Sequence, residues 1–165
     1  MNKKFRKLSV SCEFEVYSSE KDLNPDEKAL LKKAKTALKK AYAPYSKFLV
    51  GAAVLLENGE IVTGNNQENA AYPSGLCAER VAIFQASAVY NSTPIKTIVI
   101  CCKSLTSVIK KPVTPCGACR QVIAEYESKY KKPIRILMQG EKGNVYAANG
   151  IESLLPLTFN RKYLK

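Results

Sequence analysis

Apolar and polar residues alternate from residue 8 to 16. Leu8, Val10, Cys12, Phe14 and Val16 fall on one side, Ser9, Ser11, Glu13 and Glu15 on the other. A period of two predicts a half-buried strand at a sheet edge. The pattern changes at Asn24-Pro25-Asp26-Glu27, where Asn24 is placed to cap a helix, Pro25 suits its first position and Glu27 stands at capping-box spacing. Leu30, Ala34, Ala37, Leu38 and Ala41 then recur at helical spacing. Pro44 stops that helix near Ala43, because the residue before a proline avoids helical angles. Apolar runs at 50–56 and 61–63 flank Asn58-Gly59, the strongest short hairpin signal. A loop over 64–76 leads into a helix from Cys77 to about Tyr90, with Ala78, Val81, Ala82 and Gln85 in register. Residues 97–102 are apolar at nearly consecutive positions, which predicts a central strand covered on both faces. After a lysine-rich loop over 103–114, a helix from Cys116 to about Tyr130 turns Val122, Ile123 and Tyr126 inward. Strands at 134–138 and 145–147 surround the turn Glu141-Lys142-Gly143-Asn144, and a short helix near 151–154 precedes Pro156. Alternating strands and helices predict one α/β layered domain over 25–165, with residues 1–24 as an extension carrying one edge strand.

The 165 residues are enough for one domain with its own core. No apolar run approaches the roughly 20 residues of a membrane helix. None of signal-peptide type follows the basic residues 1–7, so the expected location is cytoplasmic, without a membrane partner. The 26 Lys plus Arg exceed the 14 Asp plus Glu, a net charge of +12. That balance invites a nucleic-acid reading. The basic residues are dispersed, however, and mostly Lys, without interleaved aromatics to stack on bases. A solvated basic surface is the expectation, and nucleic acid is not an expected partner. Histidine is absent, which removes every mechanism built on an imidazole base or ligand. Six cysteines without a signal peptide read as reduced thiols. Any metal site is therefore built from thiolates and carboxylates.

Two segments carry such chemistry: Cys77-Ala78-Glu79-Arg80 and Pro115-Cys116-Gly117-Ala118-Cys119-Arg120-Gln121. The CxxC of the second, taken alone, fits a redox dithiol, half of a structural zinc site or two ordinary helix cysteines. Nothing suggests a thioredoxin-like strand order around it, and no second CxxC follows. Cys12, Cys101 and Cys102 sit in apolar strand patterns, as small buried or half-buried side chains. Cys77 supplies a third thiolate. Three protein ligands leave one tetrahedral position for water, which distinguishes catalytic from structural zinc. Glu79, two residues from a ligand, can take that water's proton. Nucleobase deaminases carry this arrangement, a ligand-x-Glu segment followed by P-C-x-x-C. Three thiolates outweigh a divalent ion by one charge. Both ligand segments open helices, whose N-termini bring partial positive charge, and Arg80 can donate to a thiolate. The alternative for Arg80 is a surface position.

Over nearly all of residues 25–160 the sequence resembles the small, homotetrameric, zinc-dependent cytidine deaminases. The resemblance is carried by Ala43-Pro44-Tyr45-Ser46-Lys47-Phe48, Val50-Gly51-Ala52-Ala53, Asn66-Gln67-Glu68-Asn69-Ala70-Ala71-Tyr72, the two cysteine segments, and Leu154-Leu155-Pro156 with Phe159. It implies a three-layer α/β/α sandwich on a five-stranded mixed sheet, to which residues 8–16 add an extra N-terminal strand. It implies hydrolysis of cytidine and 2′-deoxycytidine to uridine and 2′-deoxyuridine in pyrimidine salvage. It further implies one Zn²⁺ per chain on Cys77, Cys116 and Cys119, with Glu79 moving protons. The expected assembly is a homotetramer in which a neighbouring subunit completes each site. Asn66 and Glu68 match residues that bind the ribose 3′-hydroxyl, and Ala78 one that offers a backbone group to the cytosine edge. Phe48 matches an aromatic packed on the nucleoside, and Phe159 one that stacks on the base in a neighbour's site. From spacing alone both Phe residues read as core. Two other substrates stay open: another aminated heterocycle, such as a nucleoside antibiotic, or a base in RNA or DNA. A non-catalytic zinc module is the remaining rival, and it needs neither Glu79 nor a vacant coordination position.

Overall fold

The computed structural model describes residues 5–164. Of the basic segment 1–7 and the extension 1–24 read from the sequence, residues 1–4 lie outside this range, as does residue 165. Six strands form one sheet: β1 (Glu15–Tyr17), β2 (Phe48–Leu56), β3 (Ile61–Asn65), β4 (Ile95–Ser104), β5 (Arg135–Gln139) and β6 (Val145–Asn149). Their order is β1-β6-β5-β4-β2-β3, with β4 and β5 parallel and all other neighbours antiparallel. Helix α1 (Pro25–Leu38) covers one face, and α2 (Ala78–Val89) and α3 (Gly117–Tyr130) cover the other. This is the expected three-layer sandwich, five strands with a sixth added from the N-terminal side. No helix among the described residues is long and apolar enough to cross a membrane.

Two cores flank the sheet. Leu30, Leu31 and Ala34 of α1 meet Val99 and Leu137 on one side. Ala82 and Ile83 of α2 and Ile123 of α3 meet Ile98, Ile100 and Ile136 on the other. Each such Leu or Ile contributes about 1.5–3 kcal/mol by leaving water. Residues 97–102 of β4 are all buried, so the consecutive apolar pattern marks the centre of the sheet. Cys101 and Cys102 lie there, and burial pushes their thiols up to about 12 and about 11; they are packing residues. Two glycines let helices press directly on strands. A Cβ on Gly51 would lie 2.2 Å from the Ala34 carbonyl of α1, and one on Gly64 would lie 2.5 Å from the Ala78 carbonyl of α2.

The start of α1 is as expected. The Asn24 side chain accepts from the Glu27 N–H (2.9 Å) and the Glu27 carboxylate accepts from the Asn24 N–H (3.2 Å). The end comes earlier than Pro44 predicts. The helix closes at Leu38, leaving Ala41 outside it and half-buried, because Tyr42 pairs with the backbone of Asn66 and Glu68 instead. The inward stripe of α2 is also rotated from the expected one. Gln85 is exposed and Val81 half-buried, while Ala78, Glu79, Ala82, Ile83 and Ala86 are buried.

The N-terminal strand needs a larger correction. Of residues 8–16 only Glu15 and Val16 enter a strand, where β1 pairs with β6. Leu8, Val10 and Val16 are more than half exposed, and Cys12 is exposed as well. Among the described residues no layer covers Leu8 and Val10, while Phe14 meets the Tyr146 ring at 6.4 Å. Polar contacts hold β1 instead. The Arg135 guanidinium donates to the Glu15 carboxylate (2.8 Å), the Tyr17 hydroxyl (2.9 Å), Glu27 and Asn149.

Hydrogen bonds from Arg135 and then Tyr17 lower the Glu15 carboxyl from 4.5 to about 2. A depressed carboxylate contributes stability above its unfolded value and loses it as pH falls through the folded one. Glu15 is 44% exposed, so solvent screening limits the contribution to about 1 kcal/mol. Urea melts should show Glu15→Gln less stable than the parent at pH 7, with the gap closing between pH 4.5 and about 2. A gap that persists below pH 2 would assign it to shape rather than charge.

Candidate metal centre

Helices α2 and α3 direct their N-termini to one spot, with Cys77 and Cys116 as their N-cap residues and Cys119 in the first turn of α3. Cys77 Sγ lies 3.7 Å from Cys116 Sγ, which lies 3.5 Å from Cys119 Sγ. All three sulfurs are within 4.8 Å of one another. Neither N-cap side chain caps the backbone N–H groups of its own helix, so the sulfurs are free to face each other. Three thiolates bound at about 2.3 Å in a tetrahedron stand about 3.8 Å apart, and the donor set therefore fits zinc. Among the described residues this is the one group of three Cys, Asp or Glu gathered closely enough to hold an ion.

The electrostatics around the sulfurs are asymmetric. Hydrogen bonds from Cys119, and then from Arg80 and Cys116, outweigh burial and lower the Cys77 thiol to about 5. Cys119 donates to Cys77 and is buried, so its own thiol is pushed up. A cation at the centre would take the place of the donated protons. Arg80, one turn beyond Cys77, brings Nη2 to 3.9 Å from the Cys77 sulfur and 3.5 Å from the Gly75 carbonyl. Glu79 is only 4% exposed, and burial pushes its carboxyl above the usual range. Ala78, fully buried, begins the same helix.

A cavity of about 500 Å³ opens beside Cys77 and Arg80, with Tyr45, Asn66, Glu68 and Tyr72 on its walls. Asn66 and Glu68 share that wall but are already engaged. The Asn66 amide donates to the Phe48 carbonyl (2.9 Å) and accepts from the Val50 N–H (2.8 Å). The Glu68 carboxylate accepts from the N–H groups of Tyr45 (2.9 Å) and Ser46 (3.3 Å). The Ser46 side chain, with these N–H groups, holds Glu68 below its ordinary value and thus ionised at neutral pH. Phe48 is half-buried at the start of β2 and is not on the cavity wall. Phe159 is also off the wall, 55% exposed and stacked on Tyr163 at 5.7 Å.

The sequence reading assigned no role to Tyr45, Tyr72, Arg120 or Gln121. Tyr45 and Tyr72 meet edge to face at 6.2 Å, a long-range contact that no local pattern announces. Arg120 fills a different place from Arg80, donating to the carbonyls of Pro115 and Leu154 (both 2.7 Å) and to the Thr114 hydroxyl (2.9 Å). Its position directly after Cys119 was the available signal.

Comparison with known proteins agrees with this geometry. A family model described as the cytidine and deoxycytidylate deaminase zinc-binding region matches residues 24–132. The cytidine deaminase of Sporosarcina psychrophila is 40% identical over 141 residues, 84% of this chain and 95% of that protein. That of Halalkalibacterium halodurans is 46% identical over 100 residues, 61% of this chain and 71% of that one. Among solved structures, cytidine deaminase from Burkholderia pseudomallei matches with a TM-score of 0.69 at 38% identity, over 79% of this chain and 97% of that chain. The enzyme from Mycobacterium tuberculosis gives 0.63 at 32% identity, over 82% and 98%. Identity at this level along nearly the whole length of a relative, on a shared fold, is inherited, and the chain belongs to the cytidine and deoxycytidylate deaminase family.

Proposed function

We propose that this protein hydrolyses cytidine and 2′-deoxycytidine to uridine and 2′-deoxyuridine with release of ammonia, as a cytoplasmic enzyme of pyrimidine salvage. The observation that carries the reading is a buried carboxyl group, Glu79, two residues from one of three converging sulfurs beside a cavity of nucleoside size. Cys77, Cys116 and Cys119 would hold one zinc ion, which when bound supplies Lewis acidity that brings a water's pKa toward neutrality.

Glu79 then accounts for the proton traffic. Its burial makes it a ready acceptor near neutral pH. It takes the proton of the attacking water and delivers it to ring N3, which makes C4 more electrophilic. It then takes the remaining proton from the hydroxyl now on C4 and gives it to the amino group as that group leaves, which forms the carbonyl. Water and cytidine become uridine and ammonia with no change of oxidation state. Arg80 and the N-termini of α2 and α3 offset the negative charge of the three thiolates. Ala78 would present a backbone group to the base.

Asn66 and Glu68 keep a spare N–H and a spare carboxylate oxygen for the ribose 3′-hydroxyl. An ionised Glu68 there repels a 3′-phosphate, which favours free nucleosides over a base in RNA or DNA. Exposed Phe159 suits a reach into a neighbouring subunit, so the homotetramer belongs to the same proposal.

Glu79→Gln should keep about one zinc ion per chain and lose about 10²- to 10⁴-fold in kcat, read by the ultraviolet change as cytidine becomes uridine. A fully active variant would remove Glu79 from the mechanism. Arg80→Gln should weaken zinc affinity about 10- to 100-fold, measured by competition with a chromophoric chelator. Unchanged affinity would leave Arg80 a packing role only.

A further inference from the structure

After β6 the chain has little regular structure. It makes short 3₁₀ turns at Ile151–Ser153 and Arg161–Leu164. Between them Leu157 sits at φ 57°, a left-handed conformation that costs a branched residue energy. Leu154 is buried in the core and Leu155 packs against it, but Leu157, Phe159 and Tyr163 are exposed, so little apolar burial holds the segment down beyond Leu155. Its polar ties to α3 beyond Ser153 come from the two residues that follow Cys119. Arg120 reaches the Leu154 carbonyl at 2.7 Å, and its remaining nitrogens bind the Pro115 carbonyl and the Thr114 hydroxyl. Gln121 Nε2 donates to the Phe159 carbonyl at 2.9 Å. One planar guanidinium thus joins the loop entering Cys116, the helix carrying Cys119 and the C-terminal segment.

We infer that Arg120, seconded by Gln121, is a positioning residue that seats the C-terminal segment on the cysteine-bearing turn of α3, so that order in one supports order in the other. The metal and turnover consequences rest on the proposed function; the seating itself does not. Lysine cannot replace Arg120, because a single ammonium does not span acceptors in three directions as the guanidinium fork does.

Hydrogen–deuterium exchange of the full-length protein tests this. Arg120→Lys should speed exchange over residues 154–164 by about tenfold or more, the loss of one charge-assisted hydrogen bond, while β4 keeps its parental protection. Gln121→Ala should do so over 158–164 alone, with zinc content at the parental level. Removing zinc from the parent should loosen the same segment. Both variants should raise KM for cytidine more than they lower kcat, a split that general loss of stability does not produce. Parental exchange over 154–164 in both variants overturns the seating. Exchange insensitive to zinc in a parent that binds it overturns the mutual support. If Arg120→Lys fails to fold, Gln121→Ala decides. A parent that takes up no zinc overturns the proposed function, and the comparison of variants still decides the seating.

Discussion

Three sulfur atoms within 4.8 Å of one another repel when ionised, and much of the architecture follows from accommodating that repulsion. Two helices aim their N-termini at the cluster, which brings the positive ends of two backbone dipoles to bear. Arg80 stands beside one sulfur as a permanent cation. A divalent ion on the three thiolates would leave one negative charge, which Arg80 matches. The same field acts on Glu79. Burial above all, and then the Cys77 thiolate, keep its carboxyl protonated to higher pH than usual, which suits the proton transfers proposed for it.

Such convergence demands that the helices be placed to within fractions of an ångström, and the sheet provides the reference. Gly64 lets the first turn of α2 rest on β3 without an intervening side chain, which sets the height of Cys77 and Glu79 above the sheet. Asn66, just beyond β3, ties that strand to the start of β2 through both ends of its amide. Glu68 gathers the turn at Tyr45 and Ser46. These residues build the cavity wall before any ligand arrives. A polar group that serves the scaffold is held in place before a ligand binds, at little further entropic cost.

Legibility in the sequence divided along physical lines. Features set by neighbours within a few residues were readable: the capping box at Asn24, the Asn58-Gly59 hairpin, the apolar run of β4 and the two cysteine segments at helix starts. The gathering of Cys77, Cys116 and Cys119 could be argued from the absence of histidine and of a second CxxC. Features set by distant partners were not readable. The early end of α1 depends on Tyr42 pairing with residues beyond β3, and the rotation of α2 depends on burying Glu79. The alternation at 8–16 has the local signature of a strand, but Leu8 and Val10 stay exposed among the described residues. Arg120 looked like any helix arginine until the fold brought Leu154 to it.

Zinc K-edge X-ray absorption of the purified protein tests the central claim most directly, because it reads the metal and its ligands without reference to turnover. The account predicts three sulfurs at about 2.3 Å and one lighter atom at about 2.0 Å, the open position that hydrolysis requires. Four sulfurs would make the site structural, and a sample that holds no zinc would mean the three thiols serve some other purpose.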